Sequence, residues 1–305
     1  MGAWTKAAGE RVAFITGGGN GIGAATAEEL AARGWSVAIA DLDHEAARAV
    51  AERCGERALA LEADVTSYES VEAAVAAAVE RFGGIDLCFA NAGIATEGTL
   101  RHTHPDVFAV QVDVNLCGAF RTVRACLPHL IRSRGYVLVN ASASALGAPP
   151  GLGAYGASKA GAESLGDTLR REVRHLGVDV GVVYLLWVGT DMVRGAERQG
   201  EVWRAIRGSF RGPLSRVMPV RKATDAIVRG IERRSRRVVA PRYIGALYRL
   251  RGVAPSLFER DMVRMAPAVD AASERQLRDG GREGAVRTDT PATAAAARAV
   301  QRRPA

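Results

Sequence analysis

The sequence has few lysines, no paired cysteines and no long apolar run. Only three of its 41 basic residues are lysine, namely Lys6, Lys159 and Lys222. Its longest apolar stretch, residues 182–188, is far shorter than the roughly 18–20 residues that a membrane-spanning helix needs. The four cysteines stand apart, without a CxxC pair or a His/Cys ligand spacing. We therefore expect neither a transmembrane protein, nor a disulfide framework, nor a metal site.

The net charge and the residues before Arg11 indicate in which compartment the protein is located and which partners it binds. No apolar signal region precedes Arg11, and scattered cysteines suit a reducing compartment, so the sequence predicts a cytoplasmic protein. The net charge of +8 is uneven, since residues 1–192 carry −6 and residues 193–305 carry +14. A basic region can bind nucleic acid or acidic lipid, but the run 233–237 has no aromatic residues between its arginines to stack on bases. We interpret that run as a solvated helix end and expect neither nucleic acid nor a membrane as a partner.

Short apolar runs alternate with longer helical patterns between residues 11 and 240. The runs are almost continuously apolar, which is typical of strands buried on both faces of a parallel sheet. Stretches rich in Ala, Glu, Arg and Leu predict helices at 21–33, 70–81 and 155–175. This alternation predicts an α/β fold, a Rossmann-type doubly wound parallel sheet of about seven strands with helices on both faces, in a single domain. The predicted strands are residues 12–16, 37–41, 58–61, 85–90, 136–140, 178–184 and 238–240.

Three segments depart from this alternation. Residues 191–215 are polar and helical in pattern and follow the carboxyl end of a strand, where ligands bind in open α/β sheets; a substrate lid and an ordinary pair of surface helices both fit them. Residues 242–251 fit an amphipathic helix that covers the substrate cleft, makes a subunit contact or meets a membrane. We assign residues 1–265 to the catalytic domain. Residues 266–305 are rich in Ala and Arg without large aliphatic periodicity, so we expect a disordered tail there.

A glycine-rich turn follows the first predicted strand and opens the first predicted helix. It reads Thr-Gly-Gly-Gly-Asn-Gly-Ile-Gly over residues 16–23. Glycines let the backbone approach a pyrophosphate closely, and a helix N-terminus supplies free N–H donors and a favourable dipole. The spacing is G-xxx-G-x-G and not the common G-x-G-x-x-G. Its position at the first strand-to-helix turn nevertheless predicts a dinucleotide site.

The carboxylate that ends the second strand bears on the choice of cofactor. Asp41 lies eighteen residues after Gly23, where a carboxylate accepts hydrogen bonds from adenosine ribose hydroxyls and repels a 2′-phosphate. No Arg or Lys lies in the glycine turn or directly after Asp41, so we expect NAD in preference to NADP. Asp43 is the rival for this role, with a helix N-cap as its other interpretation. Asp64, after the third strand, is expected to face the adenine.

Tyr155 and Lys159 lie four residues apart in a helical pattern and so share one helix face. A close ammonium stabilises phenolate and lowers a tyrosine pKa from about 10, so the pair can move a proton near neutral pH. Lysine is so rare in this chain that its use at 159 indicates a need for a compact ammonium; a surface position is the alternative. Ser142, after the fifth strand, predicts a hydroxyl that binds the substrate oxygen. Ser144 competes for that role, with a turn cap as its alternative.

Together these motifs resemble those of the short-chain dehydrogenase/reductase family over roughly residues 10–240. The short, non-extended branch has TGxxxGxG at the glycine turn, Asn-Ala-Gly after the fourth strand, a helix asparagine, a serine and YxxxK. The matching positions are residues 16–23, Asn91-Ala92-Gly93, Asn115, Ser142, Tyr155 and Lys159. Two positions depart from the family pattern. Ala90 stands where the family often has Asn, and Leu185-Leu186 where it usually has Pro-Gly beside the nicotinamide.

The resemblance implies a role for each matched residue. Tyr155 is the expected general acid/base, and Lys159 lowers its pKa and holds the nicotinamide ribose. Ser142 orients the carbonyl or alcohol, and Asn115 supports a proton relay through water. Thr190 keeps the place of a family threonine that contacts the carboxamide, so we expect Leu185-Leu186 to alter the wall of the site without removing it. The expected cofactor-binding residues are Gly17, Gly19, Asn20, Gly21, Ile22, Gly23, Asp41, Asp64, Val65, Asn91, Ala92, Gly93, Tyr155, Lys159, Val188 and Thr190.

The predicted function is that of an NAD(P)-dependent oxidoreductase, with NAD preferred, that interconverts a secondary alcohol and a ketone by hydride transfer. The apolar run 185–187 fits a hydrophobic substrate, although core packing explains it equally well. The resemblance also implies a homodimer or homotetramer. Two alternatives remain: a non-catalytic nucleotide-binding module on the same fold, and a basic C-terminal region that adds membrane or nucleic-acid association.

Overall fold

Seven parallel strands form one sheet at the centre of the described part of the molecule, as the sequence predicts. The computed structural model describes Trp4, Lys6, Ala7, residues 10–281, Ala294 and Ala297. The strands are β1 (Val12–Thr16), β2 (Ser36–Asp41), β3 (Ala58–Glu62), β4 (Leu87–Ala90), β5 (Tyr136–Asn140), β6 (Asp179–Leu185) and β7 (Arg237–Ala240). Their order across the sheet is β3-β2-β1-β4-β5-β6-β7. The order reverses between β1 and β4, which creates a cleft at the carboxyl ends of these strands.

Eleven α-helices connect or follow these strands within the described residues. They are α1 (Gly21–Ala32), α2 (His44–Cys54), α3 (Tyr68–Phe82), α4 (Pro105–Val112), α5 (Gly118–Ser133), α6 (Gly153–Val173), α7 (Asp191–Gln199), α8 (Glu201–Ser209), α9 (Val220–Glu232), α10 (Ile244–Arg249) and α11 (Ala254–Gly280). A π-helical segment, Asp113–Cys117, joins α4 to α5. No described helix combines the length and the apolar character that crossing a membrane requires.

Helices cover both faces of the sheet, which confirms the doubly wound fold. Alanines and aliphatic residues of α1, α2 and α9, such as Leu30 and Ile227, pack on one face. Those of α3, α5 and α6, such as Val75 and Cys126, pack on the other. The five central strands are almost wholly buried, so their apolar side chains contribute on both faces, as their continuous runs indicate. The edge strands β3 and β7 are only partly buried.

A further cluster lies beyond the carboxyl edge of the sheet. Residues 191–215 form α7, α8 and a short 3₁₀ turn, and α11 packs across α8. Val269 and Ala272 of α11 are buried against Trp203 of α8. The predicted start of a disordered tail at residue 266 is therefore wrong, since the helix continues to Gly280. Beyond residue 281 the expected tail lies outside the described residues, apart from Ala294 and Ala297.

The arginine run also differs from the sequence-based expectation. Arg234 is buried, with 2% exposure, and its Nε lies 3.0 Å from Oδ2 of Asp179. Arg237 is part of β7 and pairs with Asp167 at 2.6 Å. The interpretation as a solvated helix end is thus wrong for these two residues, because each meets a carboxylate that the sequence pattern does not reveal.

Candidate active site

The glycine turn between β1 and α1 holds its shape through two glycines with positive φ angles. These are Gly17, with φ +63°, and Gly21, with φ +54°. A Cβ atom on Gly17 would lie 2.8 Å from Cα of Ala92, and one on Gly23 would lie 2.0 Å from the carbonyl oxygen of Gly17. The turn therefore accepts no side chain at these positions, which leaves bare backbone at the N-terminus of α1. Such a surface suits a phosphate group.

Asp41 lies directly against this turn. Its Oδ2 accepts a hydrogen bond from the Gly19 N–H at 2.8 Å, and its Oδ1 accepts one from the Asp43 N–H at 3.0 Å. Burial raises the pKa of Asp41, and these backbone hydrogen bonds oppose that rise. Asp43 instead caps α2, since its Oδ1 accepts from the Ala46 N–H at 3.0 Å. Of the two candidate carboxylates, Asp41 is the one at the glycine turn.

Asp64 and Val65 lie after β3, beside the end of β2. The Asp64 carboxylate accepts from the backbone N–H of Thr66 at 2.8 Å and from its hydroxyl at 2.7 Å. The side chain of Val65 packs against Gly118, the first residue of α5. The hydrogen bonds that the Asp64 carboxylate accepts from Thr66 therefore lie within its own turn.

Asn91 joins the ends of three strands. Its Nδ2 donates to the carbonyl oxygens of Thr16, at 3.1 Å, and Gly17, at 3.0 Å. Its Oδ1 accepts from Nδ2 of Asn140, at the end of β5, at 2.9 Å. Within the described structure, Oδ1 of Asn140 is buried and has no hydrogen-bond partner, so this position suits a ligand that brings its own donor.

Asn115 lies in the π-helical segment and fixes the loop after β4. Its Nδ2 donates to the carbonyl oxygen of Ile94 at 2.9 Å and to Oγ of Ser158 at 3.0 Å, and its Oδ1 accepts from the Ile94 N–H at 2.8 Å. Gly93 lies between Asn115 and Lys159, since its Cβ position would be 2.9 Å from Oδ1 of Asn115 and 3.3 Å from Nζ of Lys159. The resemblance had implied that these two residues act together, and the fold brings them to the same glycine.

Tyr155 and Lys159 share one face of α6. Lys159 is only 3% exposed, and its Nζ donates to the carbonyl oxygen of Asn140 at 2.8 Å. Nζ also lies 5.8 Å from the centroid of the Tyr155 ring. Burial lowers the pKa of Lys159 to about 8. The lysine is therefore an interior residue, and the surface interpretation is wrong.

The electrostatics of Tyr155 differ from the sequence-based expectation. Burial raises the pKa of Tyr155, and the one opposing effect is a hydrogen bond with Ser142. The Lys159 ammonium donates its hydrogen bond to the carbonyl oxygen of Asn140. Ser142 is 8% exposed, and its Oγ also accepts from the Ser144 N–H at 3.2 Å. The hydroxyl that meets Tyr155 is thus that of Ser142, and Ser144 contributes its backbone.

Residues 185–190 form one wall of the site. Leu185 packs into the sheet core, and Leu186 packs beside Ile244. Val188 pairs with Met218, and Cγ2 of Thr190 lies 3.1 Å from the Cβ position of Gly21. Thr190 therefore borders the glycine turn. Core packing explains most of the burial of the two leucines, which leave the cavity beside them open.

A cavity of about 290 Å³ extends from the glycine turn to α11. Ile22 and Thr190 line it at one end and Phe258 and Met262 at the other, with Ser142 and Tyr155 in its wall. Sequence reasoning placed substrate-covering segments at 191–215 and 242–251 but missed α11. No spacing pattern in the sequence identifies Phe258 or Met262 as cavity-lining residues, because their neighbours come from distant parts of the chain. The described residues contain no group of three His, Cys, Asp or Glu side chains suited to a metal.

The strand order and glycine turn define a Rossmann-type, dinucleotide-binding class of fold. The chain belongs to the short-chain dehydrogenase family, since residues 11–201 match the family model described as short chain dehydrogenase. It is 33% identical over 228 residues to trans-4-hydroxycyclohexanecarboxylate dehydrogenase of Sinomonas cyclohexanicum, covering 72% of this chain and 85% of that protein.

Solved structures agree with this assignment. A short chain dehydrogenase/reductase from Burkholderia phymatum in complex with NAD superposes with a TM-score of 0.70 at 27% identity, covering 81% of this chain and 94% of that one. A 3-ketoacyl-(acyl-carrier-protein) reductase from Brucella melitensis complexed with NADH gives a TM-score of 0.68 at 27% identity, covering 75% and 96%. The predicted family is confirmed.

Proposed function

We propose that the protein is an NAD(H)-dependent oxidoreductase that interconverts a secondary alcohol and a ketone, with Tyr155 as the general acid/base. One observation carries this proposal. The Tyr155 hydroxyl meets Ser142 in the wall of an apolar cavity whose nearer end is bordered by Ile22 and Thr190, beside the glycine turn. A phenol, a second hydroxyl and a nucleotide-type turn in one cleft are what a carbonyl reduction requires.

The cofactor site fits a dinucleotide on structural grounds. The glycine turn leaves bare backbone at the N-terminus of α1, and the Asp41 carboxylate next to it suits ribose hydroxyls. Beside Lys159, the unpartnered Oδ1 of Asn140 suits a ligand hydroxyl or amide. NAD and NADH are present in the two structural neighbours described above, which further supports NAD(H).

Each residue has a distinct part in the proposed reaction. A nicotinamide coenzyme held by the glycine turn and Asp41 would supply hydride transfer from the alcohol carbon or to the ketone carbon. Tyr155 takes the hydroxyl proton in oxidation and gives it back in reduction. Ser142 donates a hydrogen bond to the substrate oxygen as its charge develops. Lys159 holds the end of β5 through Asn140 and keeps a positive charge near the phenol.

Replacement of Tyr155 tests the proposal. Tyr155→Phe removes the proton donor while keeping the ring, so turnover of alcohols and ketones should fall by about 10²- to 10⁴-fold. NADH binding, followed by nicotinamide fluorescence, should persist. Tyr68→Phe is the matched control, since Tyr68 begins α3, packs against the core and does not line the cavity. Full turnover in Tyr155→Phe would overturn the proposed role.

The same measurements address the non-catalytic alternative, which the departure of Leu185-Leu186 from the family pattern favours. A nucleotide-binding module would bind NADH but turn over no member of a broad alcohol and ketone panel. Ser142→Ala adds a second criterion. If the protein is an enzyme, Ser142→Ala should reduce turnover, as Tyr155→Phe does. If it is a binding module, there is no turnover for either variant to reduce.

A further inference from the structure

The cavity contains no charged side chain among the described residues that line it. Its polar side chains, including Ser142, Tyr155 and Thr190, lie toward the glycine turn. The rest of its wall consists of aliphatic, methionine and aromatic side chains. The polar side chains can therefore bind one oxygen of a ligand, and the apolar rest of the cavity wall suits the hydrocarbon part of that ligand.

Two arginines near this wall, Arg207 and Arg194, make contacts outside the cavity. Arg207 lies behind Trp187, with its guanidinium 5.2 Å from the ring centroid, and donates to the carbonyl oxygen of Ser215 at 2.7 Å. Arg194 donates to the carbonyl oxygen of Gly189 at 2.6 Å and to Asp191 at 3.0 Å. Neither lines the cavity. An anionic group at the α11 end of the cavity, away from Lys159, would lose its hydration without gaining a counter-ion, which disfavours its entry.

The far wall comes from a part of the chain that follows the family match. The family model ends at residue 201, whereas Phe258 and Met262 belong to α11. The helix fits closely, since a Cβ on Gly151, at φ +87°, would lie 2.7 Å from Cγ1 of Val269. This wall therefore lies outside the region that the family model matches.

Polar contacts anchor α11 and the residues that precede it. Asp270 accepts from Oγ1 of Thr99 at 2.8 Å and from Nη2 of Arg101 at 2.6 Å, which ties the helix to the loop after β4. At the approach to α11, Nη1 of Arg251 donates to the buried Glu163 of α6 at 2.6 Å. Glu163 lies one helical turn after Lys159. The helix is thus anchored to the same α6 that carries the proposed catalytic pair.

We infer that α11 is the specificity wall of the site and that the substrate is an uncharged apolar alcohol or ketone, such as a substituted alicyclic ring with a single reacting oxygen. This inference rests on the proposed function. Substrates with a carboxylate or phosphate on the part that faces α11 are disfavoured, because the wall there offers them no cation. Met262 is the residue of α11 at which this selection can be changed.

A matched pair of ketones tests the inference. 4-Methylcyclohexanone and 4-oxocyclohexanecarboxylate share a ring and differ in one charge. In the wild-type protein, kcat/KM for the neutral ketone should exceed that for the carboxylate by at least 100-fold. Met262→Arg should narrow this ratio at least tenfold. Val263→Arg, at the next position and 64% exposed, adds the same charge to the solvent side and should leave the ratio unchanged.

Binding provides a readout that does not depend on turnover. Trp187 and Trp203 both line the cavity, so the neutral ketone should change tryptophan fluorescence at concentrations at which the carboxylate does not. Met262→Ala enlarges the cavity and covers the case in which Met262→Arg fails to fold. It should favour 4-tert-butylcyclohexanone over 4-methylcyclohexanone at least fivefold relative to the wild type.

Three results would overturn the inference: equal binding of the neutral and charged ketones, equal responses to the two arginine variants, or no gain for the bulkier ketone in Met262→Ala. The proposed function fails in a different way. NADH would then bind without turnover of any alcohol or ketone, or Tyr155→Phe would remain active. In that case tryptophan fluorescence would still decide whether the cavity selects uncharged ligands.

Discussion

Lys159 lies at the proposed catalytic site, and the burial of its ammonium lowers the stability of the folded protein. Its ammonium is almost fully buried and makes one hydrogen bond, to the carbonyl oxygen of Asn140. Burial lowers its pKa from 10.5 to about 8, so at neutral pH the folded protein keeps a charge that its surroundings disfavour. Sites of this kind are maintained for activity at the expense of stability.

The pH dependence of stability follows from that shift. Between pH 8 and 10.5 the unfolded chain keeps the Lys159 proton and the folded chain loses it, so the free energy of unfolding rises with pH in this window. Relative to Lys159→Met, the wild type should gain about 2–3 kcal/mol between pH 7 and pH 10. Urea unfolding of both proteins at the two pH values measures the difference. A loss instead of a gain would mean that the lysine pKa is raised.

Asp41 determines the coenzyme preference that we propose. Its carboxylate is held by the Gly19 and Asp43 N–H groups and would repel a 2′-phosphate. Asp41→Ala should raise KM for NAD⁺ and lower KM for NADP⁺, each by about tenfold or more, since a hydrogen bond to a charged group contributes roughly 1.5–3 kcal/mol. Coenzyme titrations at fixed alcohol concentration measure both constants. Asp43→Ala, which removes only the α2 cap, is the control and should leave the coenzyme ratio unchanged.

At the scale of elements, strong local patterns made the sheet predictable. The predicted strands at 12–16 and 136–140 have the bounds of β1 and β5, because their apolar runs end at polar residues or turns. α11 was missed because the small residues Ala272 and Ser273 supply part of its buried face, beside Val269. Small side chains give a weak periodic signal, and the partner helix α8 is distant in the sequence. The raised pKa of Tyr155 was likewise hidden, since burial is a property of the folded molecule.

The contact of Asp270 with the loop after β4 can be tested separately from catalysis. Asp270→Asn weakens the acceptor for Thr99 and Arg101, so α11 should open more often. Its amide hydrogens should then exchange several-fold faster than in the wild type, while those of β1 and β5 stay protected. Hydrogen exchange with mass spectrometry measures this. Asp261→Asn, which affects only an exposed pair with Arg264 on the same helix, should leave exchange unchanged.

In the molecule as a whole, the carboxyl and amino ends of the sheet have different roles. The carboxyl ends hold the glycine turn, Ser142 and the cavity. At the amino ends, Arg234 pairs with Asp179 and lies 4.9 Å from the Trp4 ring centroid, and the Tyr136 hydroxyl donates to the carbonyl oxygen of Ser235 at 2.7 Å. Strands of this length separate the two ends by roughly 15–20 Å. Changes at one end should therefore add independently to changes at the other.

Arg234→Met tests this division. Loss of the buried guanidinium leaves Asp179 without one of its two arginine partners, so the free energy of unfolding should fall by about 3 kcal/mol. Arg233→Met makes the same exchange at an exposed neighbour and should change stability by less than about 0.5 kcal/mol. Below its unfolding temperature, Arg234→Met should keep the wild-type kcat/KM, because the proposed site lies at the opposite edge. Loss of activity in fully folded Arg234→Met, checked by circular dichroism, would show instead that the two ends of the sheet are coupled.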